Sequence, residues 1–403
     1  MSSNRPFLPY GRQTIEEDDI AAVTQVLKGD WLTGGPAVTA FEEALATKVD
    51  ATYAVACANG TAALHLTMLA LDIGPGDAVV VPTLTFLATA NAARYVGADV
   101  LFCDVDPHTG LMTDQTFAQA LQKAGDRKLR AVLPVHLNGQ ICPDLAQIHH
   151  RAQAHDMVVI EDACHALGSL QLGETAHQAG ACRYSDMTVF SFHPVKTVAM
   201  GEGGAITTHN AKLAKRLSDF RNHGMVRDVE AFIQPQEALD DQGQANPWYY
   251  EMHQPGFNYR ASDLHCALGL SQLGKLDRFV QARQHLTQLY TQKLAPLAPL
   301  ITPTPITKQN QPALHLYAVC IHFDQLGLSR SEVMQALRAE GIGTQVHYLP
   351  VHRQPYYQKL GSWELPGADH YYAGCLSLPL YPAMQEEDVD RVVAALKQLC
   401  QRA

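Results

Sequence analysis

From residue 53 to residue 160 the chain alternates short apolar runs with longer helix-like stretches. The apolar runs are Tyr53–Cys57, Ala78–Val81, Val100–Phe102, Ala131–Val135 and Met157–Ile160. Between them lie Thr61–Leu71, Ala88–Tyr95, Thr113–Lys123 and Leu145–His155. Strands that are apolar throughout, and do not alternate, must be buried on both faces. Helices between them supply the cover and the crossovers, so the pattern specifies an α/β fold with a mostly parallel central sheet. Two further β-like runs, Met187–Phe192 and Ala205–Thr208, extend it.

Around this frame other elements are expected. Residues 14–28 read as a helix with capping-box spacing at Thr14 and Glu17 and a stop at Gly29. A second helix starts near Val38. After residue 208 the alternation loosens, and the polar stretch 226–256 reads as a loop or insertion. Helices return near 262–292 and Pro-rich residues 295–312 form a connector. Then come a strand (Leu314–His322), a helix (Ser331–Glu340), a strand (Thr344–Tyr348) and a last helix over 385–401. At 403 residues the chain divides into a large domain over 1–260 and a smaller C-terminal α+β domain over 261–403.

Composition excludes several classes of function. With 30 Lys and Arg against 40 Asp and Glu, the formal charge of −10 leaves no cationic excess for a nucleic-acid backbone. No apolar run reaches the roughly 20 residues of a membrane span. The first residues, Met-Ser-Ser-Asn-Arg-Pro-Phe, have no apolar segment after their charge, and the 9 cysteines include no Cys-x-x-Cys pair. A cytoplasmic protein with reduced thiols is expected. His149, His150 and His155 are the densest histidine group, but they lack a metal-ligand spacing, so no metal is expected.

Four features fall at the carboxyl ends of predicted strands or in the turns beyond them, where sheets of this class place ligands. Asn59-Gly60-Thr61-Ala62 runs from a strand into a helix, and the free N–H groups of Thr61 and Ala62 would cradle a phosphate; the same residues also suit an ordinary capped helix. Thr85-Phe86 offers an aromatic face for a planar ring, or a core phenylalanine. Asp162 ends a strand, where it either caps the next helix or keeps a pyridine nitrogen protonated. Lys196 lies in Ser191-Phe192-His193-Pro194-Val195-Lys196, ahead of Gly201-Glu202-Gly203-Gly204. It is either a solvated surface charge or an amine placed to form a Schiff base. Together, in the order cradle, stacking face, acid and amine, they meet the needs of pyridoxal 5′-phosphate.

With these residues in view, the chain resembles the DegT/DnrJ/EryC1/StrS sugar-nucleotide aminotransferases along nearly its whole length, from Trp31-Leu32-Thr33-Gly34-Gly35-Pro36 to Ser377-Leu378-Pro379-Leu380-Tyr381-Pro382. Within that family it is similar to the pseudaminic-acid branch, the UDP-4-amino-4,6-dideoxy-N-acetyl-β-L-altrosamine transaminases. The likeness rests on Asp162–Gly168, Tyr184–Lys196, Pro247–Met252 with Gly256–Arg260, and Gln345–His352.

The resemblance implies the aspartate-aminotransferase (type I) fold. It also implies L-glutamate as amino donor, a UDP-4-keto-6-deoxy-N-acetylhexosamine as acceptor, and a homodimer with shared active sites. Lys196 would form the Schiff base, Asp162 would pair with the pyridine nitrogen, and His165 would lie near the phenolic oxygen or cover the ring. Phe86 would stack on the ring. Gly60, Thr61, Ala62 and Ser191 would hold the phosphate, and Asn258 would reach the phosphate of the partner's cofactor. Tyr10, Trp31, Leu32, Thr33, His347 and Tyr348 would face the substrate. Two departures stand out: Val198-Ala199-Met200 replaces a hydroxyl-bearing stretch after the lysine, and Pro255 precedes Gly256. Three other readings are an aminotransferase for a perosamine or aminoarabinose precursor, a dehydratase, and a cofactor-binding regulator. Lys196 speaks against the dehydratase, and the Asp162–Lys196 pair against the regulator.

Overall fold

The structure, a computed structural model, describes residues 6–173 and 176–402. Its centre is a seven-stranded sheet made of β1 (Tyr53–Cys57), β2 (Asp77–Pro82), β3 (Asp99–Cys103), β4 (Lys128–Val132), β5 (Val158–Asp162), β6 (Met187–Ser191) and β7 (Gly204–Thr208). The spatial order is β1-β7-β6-β5-β4-β2-β3. From β6 to β3 all neighbours are parallel, while β7 runs antiparallel to both β6 and β1. The reason is local. Residues 192–203 hold no helix to cross over the sheet, so the chain turns back beside β6.

This topology assembles the site. Both β1 and β6 run opposite to β7, so β1, β2, β5 and β6 all end at one edge of the sheet. Asp162 at the end of β5, and Gly60, Phe86 and Lys196 beyond the ends of β1, β2 and β6, therefore converge from positions far apart in sequence. Two close approaches need glycine. A Cβ on Gly204 would lie 2.3 Å from the Asn59 carbonyl oxygen, and one on Gly60 would lie 2.9 Å from Ser191 Cβ.

The helices α1 (Glu17–Lys28), α2 (Pro36–Val49), α3 (Gly60–Ala70) and α4 (Leu87–Tyr95) lead into or cover this sheet. The cap of α1 differs from the sequence reading. Its capping box pairs Glu16 with Asp19, not Thr14 with Glu17. Tertiary contacts decide this: Asp19 also accepts from Ser271 Oγ at 2.6 Å and Gln272 Nε2 at 2.8 Å, and the Thr14 carbonyl accepts from Gln272.

The strand expected at 131–135 starts earlier, at Lys128. Backbone pairing tolerates Lys128 and Arg130 there because both reach Asp77, at 2.9 and 3.1 Å. The stretch 225–256 contains only short elements, including a two-residue pairing of Met225–Val226 with Glu251–Met252.

A second core, built around Leu286, Tyr290, Val319, Leu337, Leu376 and Val392, lies under a three-stranded antiparallel sheet of β8 (Ile301–Pro303), β9 (Tyr317–Ile321) and β10 (Cys375–Leu378). The segment Thr344–Tyr348, expected as a strand, forms only a single bridge between Gln345 and Ser377. Beyond that bridge the chain leaves the sheet and places His347 and Tyr348 in a cavity instead. No helix among the described residues is long and apolar enough to cross a membrane, and they contain no cluster of three or more metal-ligating side chains.

Candidate active site

A cavity of about 650 Å³ opens at the carboxyl edge of the sheet. Of the residues singled out from the sequence, Tyr10, Gly60, Thr61, Phe86, Asp162, His165, Ser191, Lys196, His347 and Tyr348 line it. Ala62, Trp31, Leu32, Thr33 and Asn258 do not.

The cradle forms at the start of α3. The first amides of a helix have no partner within it. Asn59 Oδ1 takes the Ala62 N–H at 2.8 Å and the Asn59 carbonyl takes that of Ala63 at 3.0 Å. Ala62 therefore has no free amide, contrary to the expectation from sequence, and among the described residues nothing accepts from the amides of Gly60 and Thr61. Ser191 faces them across the gap that Gly60 leaves. Two amides at a helix start beside two hydroxyls suit a phosphate.

Asp162 is 5% exposed. Its Oδ2 accepts from Thr89 Oγ1 at 2.7 Å, and its Oδ1 accepts from the Cys164 amide at 3.2 Å. Thr89 in turn shares a 2.7 Å hydrogen bond with Thr85. The carboxylate is thus fixed in position yet still lines the cavity. Glu161, one residue earlier, points to the other face of β5, as strand alternation requires. It is buried with His136 at 2.6 Å and Thr188 at 3.2 Å. Burial raises the Glu161 pKa, but the hydrogen bonds from His136 and Ser185 outweigh it and the net shift is downward.

Lys196 is half-buried, in a turn closed by its own N–H to the His193 carbonyl at 2.8 Å. Burial lowers the pKa of its ammonium, and the nearby Cys164 and Asp162 offset only part of that. Phe86, 55% exposed, is not a core phenylalanine. Its ring centroid lies 6.0 Å from that of Tyr348.

A second group of lining residues is made of rings: His165 from the turn after β5, Tyr10 from the N-terminal segment, and His315, His347 and Tyr348 from the C-terminal part. His165 and His315 have ring centroids 4.6 Å apart. His347 donates to or accepts from Ser377 Oγ at 2.9 Å and lies against Tyr10 at 5.5 Å between centroids. All three imidazoles are held neutral, first by burial and then by Lys196; the pKa of His347 falls to about 3.

Several lining residues were not found from the sequence: His315, Cys164 and Thr89. The spacing of Thr85 and Thr89 across a helix start was a usable signal for a paired hydroxyl. No local pattern distinguishes His315, which stands just before β9.

Trp31, Leu32 and Thr33 form an exposed turn pinned by Asp263, whose carboxylate accepts from the amides of Gly35 at 2.7 Å and Ala37 at 3.0 Å. Asn258 is exposed, in a bridge with Asn222. Val198, Ala199 and Met200 are buried at 1%, 3% and 0% exposure, and Met200 packs near Gly203, Gly269 and Phe41. That departure from the family pattern therefore lies in the core, away from the cavity.

The donor set fits pyridoxal phosphate: paired free amides and two hydroxyls for the phosphate, a fixed carboxylate, a ring with an open face, and a lysine of lowered basicity. The model of the DegT/DnrJ/EryC1/StrS aminotransferase family matches residues 13–397. The spore coat polysaccharide biosynthesis protein SpsC of Bacillus subtilis (strain 168) is 38% identical over 401 residues, 98% of each chain. Among solved structures, PseC of Helicobacter pylori, an aminotransferase involved in the biosynthesis of pseudaminic acid, superposes with a TM-score of 0.86 at 25% identity. That match covers 98% of this chain and 100% of PseC. DesI, solved in the presence of its TDP-sugar product, has a TM-score of 0.85 at 30% identity, covering 100% of this chain and 94% of DesI. The fold is that of the type I pyridoxal-phosphate aminotransferases. The chain belongs to the DegT/DnrJ/EryC1/StrS aminotransferase family and is a pyridoxal-phosphate-dependent sugar aminotransferase.

Proposed function

We propose that the chain moves an amino group from L-glutamate to C4 of a UDP-4-keto-6-deoxy-N-acetylhexosamine, the step that pseudaminic acid biosynthesis requires. The likeness to PseC over the whole chain carries this reading. The Tyr184–Lys196 and Pro247–Met252 segments support it.

In this reading the bound cofactor supplies a reactive carbonyl and an electron sink. The Gly60 and Thr61 amides, with the Thr61 and Ser191 hydroxyls, bind its phosphate. Asp162, oriented by Thr89 and the Cys164 amide, holds the proton on the ring nitrogen. Phe86 would cover one face of the ring and His165 would lie near its phenolic oxygen. Lys196 Nζ would carry the proton of the donor's α-carbon to the cofactor in the first half-reaction and one from the cofactor to the sugar's C4 in the second. A lowered pKa suits it to that exchange near neutral pH. Tyr10, His347 and Tyr348 shape the substrate end.

The enzyme works as a homodimer in the cytoplasm. Trp248, Tyr250, Met252 and Phe257 are exposed on and beside the 225–256 stretch, and such an apolar group suits burial against a second copy. In that dimer Asn258 reaches the partner's cofactor phosphate, and the Trp31–Thr33 turn meets substrate. Nine free cysteines suit a reducing compartment.

The test is kcat/KM for UDP-2-acetamido-2,6-dideoxy-β-L-arabino-hexos-4-ulose and for its C5 epimer at fixed glutamate, beside 4-keto dTDP- and GDP-sugars. An apolar pocket discriminates a misplaced methyl by roughly 1–3 kcal/mol, so the preference should be about 10- to 200-fold. Equal values for the epimers remove the pseudaminic reading. A preference for a dTDP-sugar favours a second reading, motivated by DesI and its TDP-sugar product. A preference for a GDP-sugar would point to a perosamine-type acceptor.

A further inference from the structure

One line of hydrogen bonds behind the cavity has a fixed direction. It begins at Asn138, whose backbone sits in the left-handed region at φ 59°, a conformation asparagine tolerates. Gly139, at φ 100°, presses this turn against His165: a Cβ there would lie 3.1 Å from the His165 carbonyl oxygen. The Asn138 amide thereby donates to His165 Nδ1 at 3.3 Å. A ring nitrogen that accepts an N–H carries no proton. A neutral imidazole carries one, so it sits on Nε2. Nε2–H then donates to the Tyr348 hydroxyl oxygen at 3.0 Å. The phenolic proton must point elsewhere, and no acceptor among the described residues takes it. Tyr348 lines the cavity.

The ring itself has little freedom. It stacks on His165 at an interplanar angle of 27°, with Phe86 at 6.0 Å and His347 at 4.8 Å between centroids. Burial, reinforced by Asp162, Cys164 and Tyr10, keeps the phenol protonated. We propose that Tyr348 donates its hydroxyl hydrogen to the oxygen of the reacting carbonyl and that His165, set by the Asn138 amide, aims it.

Two arguments select that oxygen from the others a substrate offers. Tyr348 and Lys196 line the same cavity, together with Asp162 and Cys164, so the phenol and the reacting amine open onto one space. A neutral donor reinforced from behind also gains most where charge develops during reaction. A carbonyl oxygen gains charge as an amine adds to its carbon, whereas carboxylates and a diphosphate keep theirs. Tyr348 keeps its own proton throughout and contributes a hydrogen bond. In transamination a carbonyl is exchanged for an amine in both half-reactions at one site, so Tyr348 serves the keto acid and the keto sugar alike.

The inference deepens the proposed function, and its test separates the two. In the holoenzyme, each half-reaction is followed alone in single turnover by cofactor absorbance, first with L-glutamate and then with the keto sugar. Tyr348→Phe should slow both by a similar factor, about 100-fold. His165→Leu should approach that loss. His165→Gln keeps a side-chain N–H and should stay within about 10-fold of wild type. Joining His165→Leu to Tyr348→Phe should add little to Tyr348→Phe alone. The resting holoenzyme offers a readout free of turnover: ¹⁵N spectra should show His165 with an unprotonated Nδ1 and a protonated Nε2.

A Tyr348→Phe enzyme that runs either half-reaction at the wild-type rate overturns the proposal, as does a protonated Nδ1. If wild type rejects the UDP-sugar but accepts another keto sugar, the acceptor reading fails, and the same comparison on that sugar decides the role of Tyr348.

Discussion

The sheet-edge wall of the cavity carries groups anchored by backbone geometry, whereas the facing wall carries rings held by packing. On the first wall, Gly60 and Thr61 are set by the start of a helix, Asp162 by Thr89 and an amide, and Lys196 by a closed turn. On the second, His165, His315, His347, Tyr10 and Tyr348 hold one another through ring contacts and a few hydrogen bonds. The first wall keeps charges and free donors close to the sheet. The second is kept neutral by burial. In the proposed function such a site separates two tasks: the charged side activates, and the neutral side orients and discriminates.

The largest expected effects lie on the charged wall. Lys196→Ala should reduce turnover by roughly 10⁴-fold or more, since in the proposed function this lysine is both the covalent anchor and the proton carrier. Cofactor should still bind through the cradle, as read from absorbance. Asp162→Asn keeps the shape and the Thr89 contact but loses the charge. It should cost about 10²- to 10³-fold in kcat with cofactor content nearly preserved. Full activity in either variant would mean that the two walls do not divide the work.

Next is the assignment of Asn258 to a partner's site. Mixing Lys196→Ala with Asn258→Ala subunits should restore activity, because one of the two mixed sites keeps both residues. With random pairing, about half the dimers are mixed, so recovery should approach about one quarter of the wild-type rate if each parent is inactive. No recovery after verified exchange would place Asn258 in its own chain's site.

The neutral wall should show itself in acid. In the folded protein the His347 pKa is lowered to about 3, mainly by burial, whereas an unfolded histidine titrates near 6.5. Between those values the unfolded chain binds the extra proton, so stability from the neutral ring is complete above about pH 6.5 and is lost as pH falls toward 3. The slope from one such histidine is at most about 1.4 kcal/mol per pH unit. Urea unfolding from pH 7 to 4.5 should be less steeply pH-dependent in His347→Gln than in wild type. An unchanged slope would mean that the ring is not buried neutral.

The smallest expected effect on catalysis comes from Met200→Thr, which returns a hydroxyl to the departed stretch. Met200 is fully buried, and shortening it leaves a cavity costing about 2–4 kcal/mol of stability. Because Met200 lies away from the cavity, kcat/KM should change by less than about twofold. A large loss of activity at normal stability would tie this core segment to the site.

The charged wall was largely legible in the sequence because its parts are local patterns. A glycine at a strand-to-helix turn, an aspartate at a strand end and a lysine in the return after a strand can each be read within about ten residues. Even there, the Asn59 side chain claimed the Ala62 amide, a choice made by cap geometry. The facing wall was less legible. Thr344–Tyr348 has the composition of a strand, yet after its bridge to Ser377 it turns into the cavity. His315 meets His165 from 150 positions away, and nothing in Leu314-His315-Leu316 distinguishes a cavity histidine from a strand-flanking one. Parallel strands bring their ends together by rule, whereas ring packing between distant segments follows no short pattern.

The central claim, that Lys196 is the amine of the charged wall, is tested most directly by reducing the holoenzyme with borohydride and mapping the modified peptide by mass spectrometry. The expected result is one pyridoxyl group per chain, on Lys196, with the label absent when glutamate is added before reduction. A label on another lysine, or no label on a protein that still holds its cofactor and turns over, would contradict it.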